Sequence, residues 1–138
     1  MTNPLQKYSE PLFAILRIVA GLLFACHGAQ KLFGFLGAER AGEPLMVLAG
    51  VIEFGGGLLI AFGLLTSITA FLASGEMASA YFMVHAPQSP WPIVNHGELP
   101  ALYSFLFLYI AARGPGRYSL DAMMAKGGKG AGREKASP

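Results

Sequence analysis

Some 22 residues from Leu12 to Phe33 form an apolar run that only Arg17, His27 and Lys31 interrupt with charged or imidazole side chains. As a helix this run is ~33 Å long, enough to cross a hydrocarbon core of ~30 Å. It is too long for the apolar core of a signal peptide, and no small-residue cleavage site follows it, so it is expected to be retained. A polar loop from Gly34 to Pro44 leads into a second apolar run, Leu45 to Leu65, whose one charge is Glu53. Gly63 to Thr66 predicts a tight turn, and a third run, Ser67 to about Val84, again holds one charge, Glu76. Four prolines between His85 and Pro100 (Pro87, Pro90, Pro92 and Pro100) forbid a regular helix there, and Trp91 suits an interfacial loop. The last run, Leu99 to Ala112, is ~21 Å as a helix, short for a crossing unless Asn95 to Glu98 extend it or the bilayer thins. The pattern predicts an all-α, integral membrane four-helix bundle.

Composition agrees: 54% of the 138 residues are hydrophobic and 13% charged, where a soluble domain carries about 25% charged residues. Six of the ten Lys and Arg residues lie between Arg113 and Lys135. On the positive-inside rule this puts both termini in the cytoplasm of a multi-pass cell (inner) membrane protein. The basic end suits an anionic membrane face rather than nucleic acid, so the lipid bilayer is the expected partner. The expected organisation is one domain over 1–121 followed by a basic, disordered cytoplasmic tail over 122–138. Cys26 is the sole cysteine, which excludes an internal disulfide and dithiol chemistry by this subunit alone. Phe24 stands where a lipidation site requires a small residue, so Cys26 reads as a small buried helix residue.

Ionisable groups at membrane depth cost at least ~2.5 kcal/mol and turn inward toward partners. On the first helix Arg17, Gly21, Phe24, Gly28 and Lys31 share one stripe, with His27 at its edge. Gly50, Glu53, Gly57 and Ile60 share a face of the second, and Thr69, Ala73, Glu76, Ala80 and Met83 a face of the third. Small residues around each glutamate fit close helix contacts. Arg17 is expected roughly 8 Å to the cytoplasmic side of the bilayer centre, and the two glutamates within about 3 Å of it. His85, Asn95, His96 and Glu98 gather at the opposite surface, toward which His27 and Lys31 also lie. The candidate polar intramembrane site is therefore Arg17, His27, Lys31, Glu53, Glu76, Asn95, His96 and Glu98. Two readings stand: Arg17 and Lys31 each neutralise one glutamate as structural ion pairs, or the polar interior binds a small molecule or relays protons. No His-x-x-x-His spacing supports a metal site from His27, His85 and His96, and none is expected.

His27-Gly28-x-x-Lys31-Leu32-Phe33-Gly34, Glu53-x-x-Gly56-Gly57, Gly63-Leu64-x-Thr66, Asn95-x-Gly97-Glu98 and Gly114-Pro115-Gly116, in this order, resemble the DoxX family over residues 12 to 121. The resemblance implies a four-helix membrane protein, similar to the membrane subunit of a thiosulfate:quinone oxidoreductase and to partners in bacterial thiol-stress complexes. His96 stands where the family's Asn-Gly-Gly-Glu form has glycine. The first functional expectation is a subunit of a quinone-linked oxidoreductase system, with His27 or Lys31 on a quinone carbonyl and Glu53 or Glu76 supplying protons. No haem, iron-sulfur or nucleotide motif is encoded, so electrons require a soluble or membrane partner subunit. The alternatives are a non-enzymatic anchor or assembly partner for a soluble redox or stress-response enzyme, and a small transporter, for which a homo-oligomer would have to build the path. No catalytic residue is assigned.

Overall fold

The computed structural model describes residues 3–134, and side chains as far as residue 128. A 3-10 turn, Gln6–Tyr8, feeds α1 (Ser9–Phe33), followed by α2 (Pro44–Phe62) and α3 (Thr66–Ala80). A π turn, Tyr81–His85, continues α3. After it come a short α4 (Pro92–Asn95), then α5 (Glu98–Arg113) and α6 (Leu120–Glu134). The helix ends follow local chemistry. Pro44 opens α2, where its missing N–H is no loss. Gly34 (φ 68°) and Gly63 (φ 72°) close α1 and α2 in the left-handed conformation. At the α2 end, Gly63 N–H donates to Ile60 O at 3.1 Å and Leu64 N–H to Leu59 O at 2.9 Å, satisfying two carbonyls that the helix leaves open.

α1 packs along α2, α3 packs along α5, and α2 joins the two pairs through α3. Glycines set the first contact. A Cβ on Gly21 would sit 2.5 Å from the Gly57 carbonyl oxygen and 2.6 Å from Ala61 N, and one on Gly28 would strike the backbone of Phe54. Only hydrogen fits at those crossings, so the backbones touch and dispersion holds the pair in lipid. Between the pairs lies an aromatic core. Phe24 meets Phe107 at 4.8 Å between ring centroids, and Tyr103 stacks on Phe107 at 5.1 Å and 2°, with Ile60, Ala70, Ala73 and Ile110 closing around them.

The outside is as apolar as the inside. Ile15, Val19 and Leu22 on α1, Leu48 and Val51 on α2, Phe71 and Leu72 on α3, and Leu102 and Phe105 on α5 are all exposed, and so is Cys26, which lies on the outer face of α1 rather than buried as the sequence suggests. An apolar belt of that extent is untenable in water and ordinary in lipid. The chain is an all-helical membrane bundle. By length and apolarity alone, two stretches among the described residues suffice for a crossing, Gln6–Phe33 and Pro44–Phe62. α3 with its π turn runs on for 15 and then 5 residues. α5 has 16 residues, ~24 Å, and starts at Glu98, so Asn95 does not extend it as the length argument suggested. Composition reads 122–138 as disordered, whereas α6 carries helix through Glu134; residues 135–138 lie outside the described residues.

Candidate functional site

A cavity of about 270 Å³ opens between α1, α2, the end of α3 and the start of α5. Its polar lining is His27 and Lys31 from α1, Glu53 from α2, His85 from the π turn and His96 before α5; Phe24, Met77 and Tyr103 supply apolar walls. The buried α1 stripe of Phe24 and Gly28 and the buried α2 face of Gly50, Glu53 and Gly57 meet here, as their spacing requires. Lys31 donates to Glu53 Oε1 in an ion pair whose carboxylate is 1% exposed and whose ammonium is 25% exposed toward the cavity. Glu53 Oε2 is buried and has no partner among the described residues. Glu76 lies within electrostatic reach of both Glu53 and Lys31, and its own Oε2 is likewise buried and unpartnered among the described residues. Among the described residues the ammonium's ion pair is with Glu53, and Glu76, half-buried, does not line the cavity.

The π turn determines which side chain of the third helix enters the cavity. Continuing the α3 face of Ala73, Met77 and Ala80 with α-helical spacing would turn Val84 inward and Met83 close to it. Instead Ala86 N–H bonds to Tyr81 O at 2.9 Å, five residues back. This wider turn shifts the face by one residue, leaving Met83 and Val84 exposed and bringing His85 in. His85 Nδ1 lies 2.9 Å from the Asn95 carbonyl oxygen. A carbonyl only accepts, so Nδ1 is the donor of this bond. Asn95 is buried and holds the loop: its Nδ2 donates to Ser89 O at 2.8 Å and its Oδ1 accepts from Gly97 N–H at 2.8 Å. His96 adopts φ 58°, the left-handed region where the family's glycine form is at ease. Glu98 is exposed at the first turn of α5 and does not line the cavity.

Arg17 does not join the site. It is 1% exposed at the other end of the bundle, where Nη1 donates to Ile60 O at 2.8 Å and Ala61 O at 3.2 Å and Nη2 to Tyr118 O at 2.6 Å. A pairing of Arg17 with a glutamate, one of the two readings the sequence leaves open, is replaced by capping of the α2 C-terminus, where unbonded carbonyls attract a cation. Gly63 is doubly required there, by its positive φ and by the guanidinium packed against it. Beside it Asp121 caps α3, accepting from Leu65 N–H at 2.9 Å, Thr66 N–H at 3.0 Å and Thr66 Oγ1 at 2.9 Å. Burial pushes the Asp121 carboxyl up, but the Thr66 and Leu65 hydrogen bonds and the Arg17 charge outweigh it, and the group titrates below the usual carboxylate range.

Of the sequence candidates, the structure gathers His27, Lys31, Glu53 and His96 on the cavity wall; Glu76 is half-buried on α3 and is not part of that wall. The structure uses Asn95 as the loop's scaffold and leaves Arg17 and Glu98 apart. Tyr103, a buried aromatic at helical spacing with Phe107, reads from sequence as ordinary core. His85 is named in the outer polar cluster but stands outside the candidate site until the π turn is seen; Pro87, just past it, is the available signal. Among the described residues no three His, Cys, Asp or Glu side chains lie close enough to hold a metal ion. A second, more open furrow of about 400 Å³ between α3 and α5 is lined by Ser67 and otherwise by apolar residues such as Ile68, Phe71 and Leu108, and faces lipid.

Comparison with known proteins places these features in context. The DoxX family profile matches residues 12–86. A Haemophilus influenzae protein described as uncharacterized is 42% identical over 127 residues, covering 86% of this chain and 95% of its own. The Escherichia coli inner membrane protein YqjF is 30% identical over 139 residues, covering 88% and 98%. A Bacillus subtilis protein carrying the name "Putative oxidoreductase CatD" is 27% identical over 121 residues, covering 83% and 88%. No solved structure matches.

Proposed function

The chain belongs to the DoxX family, and from that premise we propose that it is a multi-pass inner membrane protein acting as the membrane subunit of a quinone-linked oxidoreductase system, with the cavity beside Glu53 as its quinone headgroup site. Four crossings, made by α1, α2, α3 with its π turn, and α5, put both termini in the cytoplasm by the positive-inside rule. The observation that carries the reading is the Lys31–Glu53 pair on the wall of a 270 Å³ opening, with the second oxygen of Glu53 buried and unpartnered among the described residues.

A quinone headgroup is flat, apolar on its faces and polar at two carbonyl oxygens. The lining suits it: Phe24 and Tyr103 offer aromatic walls, Lys31 offers N–H donors to a carbonyl, and the unpartnered oxygen of Glu53 on the wall, backed by that of Glu76 outside the lining, serves to hold and deliver protons. When bound, a quinone supplies a two-electron, two-proton acceptor. The electrons come from a reduced partner subunit, since the sequence encodes no redox centre. The oxidoreductase name of the Bacillus relative supports this class of chemistry.

The rival reading is a non-enzymatic anchor whose intramembrane charges are structural ion pairs. It requires a cation for each carboxylate, and Arg17, the second cation, is bound to backbone carbonyls at the opposite end. Reconstitution in nanodiscs with a water-insoluble quinone separates the two. The redox site predicts saturable quinone binding that Glu53→Gln weakens at least tenfold, as loss of a charge-assisted hydrogen bond entails. The anchor predicts no saturable binding.

A further inference from the structure

α6 plays no part in the cavity. Its first turn is tied firmly: Asp121 N–H donates to Gly63 O at 2.9 Å, the Asp121 carboxylate caps α3, and Arg17 holds the Tyr118 carbonyl just before it. These bonds fix the start of α6 at the turn between α2 and α3, the level where two membrane helices end. Beyond this point the helix is unsupported. Met123 and Met124 are 67% and 66% exposed, Leu120 and Tyr118 are exposed as well, and no other element packs along it among the described residues.

Its sequence has two sides. Leu120, Met123, Met124 and Gly127 recur at i, i+3, i+4 and i+7, and Lys126, Lys129 and Arg133 at i, i+3 and i+7 on a different side. Gly127, Gly128, Gly130 and Gly132 make this segment a weak helix former, so it needs an external surface against which to hold helix. An apolar strip beside a basic strip, pinned at the membrane boundary, is the pattern of an interfacial helix.

We infer that α6 is a membrane-surface helix that docks on anionic phospholipid, with Leu120, Met123 and Met124 in the interface and the basic strip that begins at Lys126 toward the headgroup phosphates. A bilayer answers both sides of the helix at the height where Asp121 fixes it, whereas a soluble acidic partner would leave the methionines uncovered. The inference is independent of what occupies the cavity.

The test uses the full chain in nanodiscs, with an environment-sensitive fluorophore on Met124→Cys in a Cys26→Ser background. In discs containing phosphatidylglycerol the probe is expected to shift to the blue and to be shielded from acrylamide, relative to pure phosphatidylcholine discs. Each basic residue at an anionic surface shifts the docked population by about fivefold, so Lys126→Glu, Lys129→Glu and Arg133→Glu together reduce it on the order of a hundredfold and abolish the difference. Equal shielding in both lipids, unaffected by the charge reversals, would overturn the inference in favour of apolar docking without headgroup recognition. Equal and full quenching in both would overturn it in favour of a solvated tail.

Discussion

Lys31 on α1 pairs with Glu53 on α2, and the carboxylate is far more deeply buried than the ammonium. The pair sits one helical turn beyond Gly28, whose missing side chain lets the two backbones come close enough for the ion pair to form. Removing one partner strands the other. Lys31→Met is expected to destabilise the detergent-solubilised protein by about 3 kcal/mol, with Lys31→Met/Glu53→Gln recovering a large part of that. Thermal unfolding of the three proteins checks it. The swapped pair, Lys31→Glu with Glu53→Lys, should fold yet lose quinone binding if the site is functional; binding that survived the swap would mark the pair as structural.

The glycines of α2 are unequal. A Cβ at Gly57 would lie 2.5 Å from Gly21 O, while one at Gly55 meets nothing within 4 Å. Gly57→Ala is predicted to cost 1–3 kcal/mol, roughly the range for overpacking. Gly55→Ala should be neutral or stabilising by about 0.5 kcal/mol through helix propensity. Equal effects at the two sites would refute the α1–α2 contact.

His96 holds a backbone conformation, φ 58°, that glycine adopts freely. His96→Gly is therefore expected to raise stability by about 1 kcal/mol while weakening ligand binding at the cavity, and His96→Ala to weaken binding without the gain. A His96→Gly protein less stable than the parent would show that the imidazole itself holds the loop.

Asp121 titrates below its ordinary range because it accepts hydrogen bonds at the α3 N-terminus. The sign follows: a depressed folded-state pKa contributes stability that is complete above the unfolded value of about 3.9 and is lost as pH falls through the folded value. Asp121→Asn, which lacks this contribution at all pH values, should thus be less stable than the parent at neutral pH, with the difference shrinking on acidification below about pH 4. A difference that stayed constant between neutral pH and pH 2 would contradict the capping role.

How far the residues alone disclosed this arrangement depends on what positions them. α1 and α2 were legible because long apolar runs and small-residue faces act locally, and Glu53 and Lys31 could be assigned inward by cost alone. Arg17 met the same criterion, but its partner stayed open between a glutamate and the polar interior, because carbonyls at the end of α2 are invisible to any count of charges. Met83 was placed inward by regular spacing and is exposed, since a π turn depends on tertiary fit rather than on local propensity. The same turn explains why His85 stood out so little.

The central claim is tested most directly by mass spectrometry of lipids and quinones that co-purify in mild detergent with the parent, Glu53→Gln and Glu76→Gln. The account predicts near-stoichiometric quinone with the parent and its loss, at least tenfold, in the variants while their unfolding temperatures show them folded. Quinone absent from the folded parent, or retained unchanged by both variants, would contradict it.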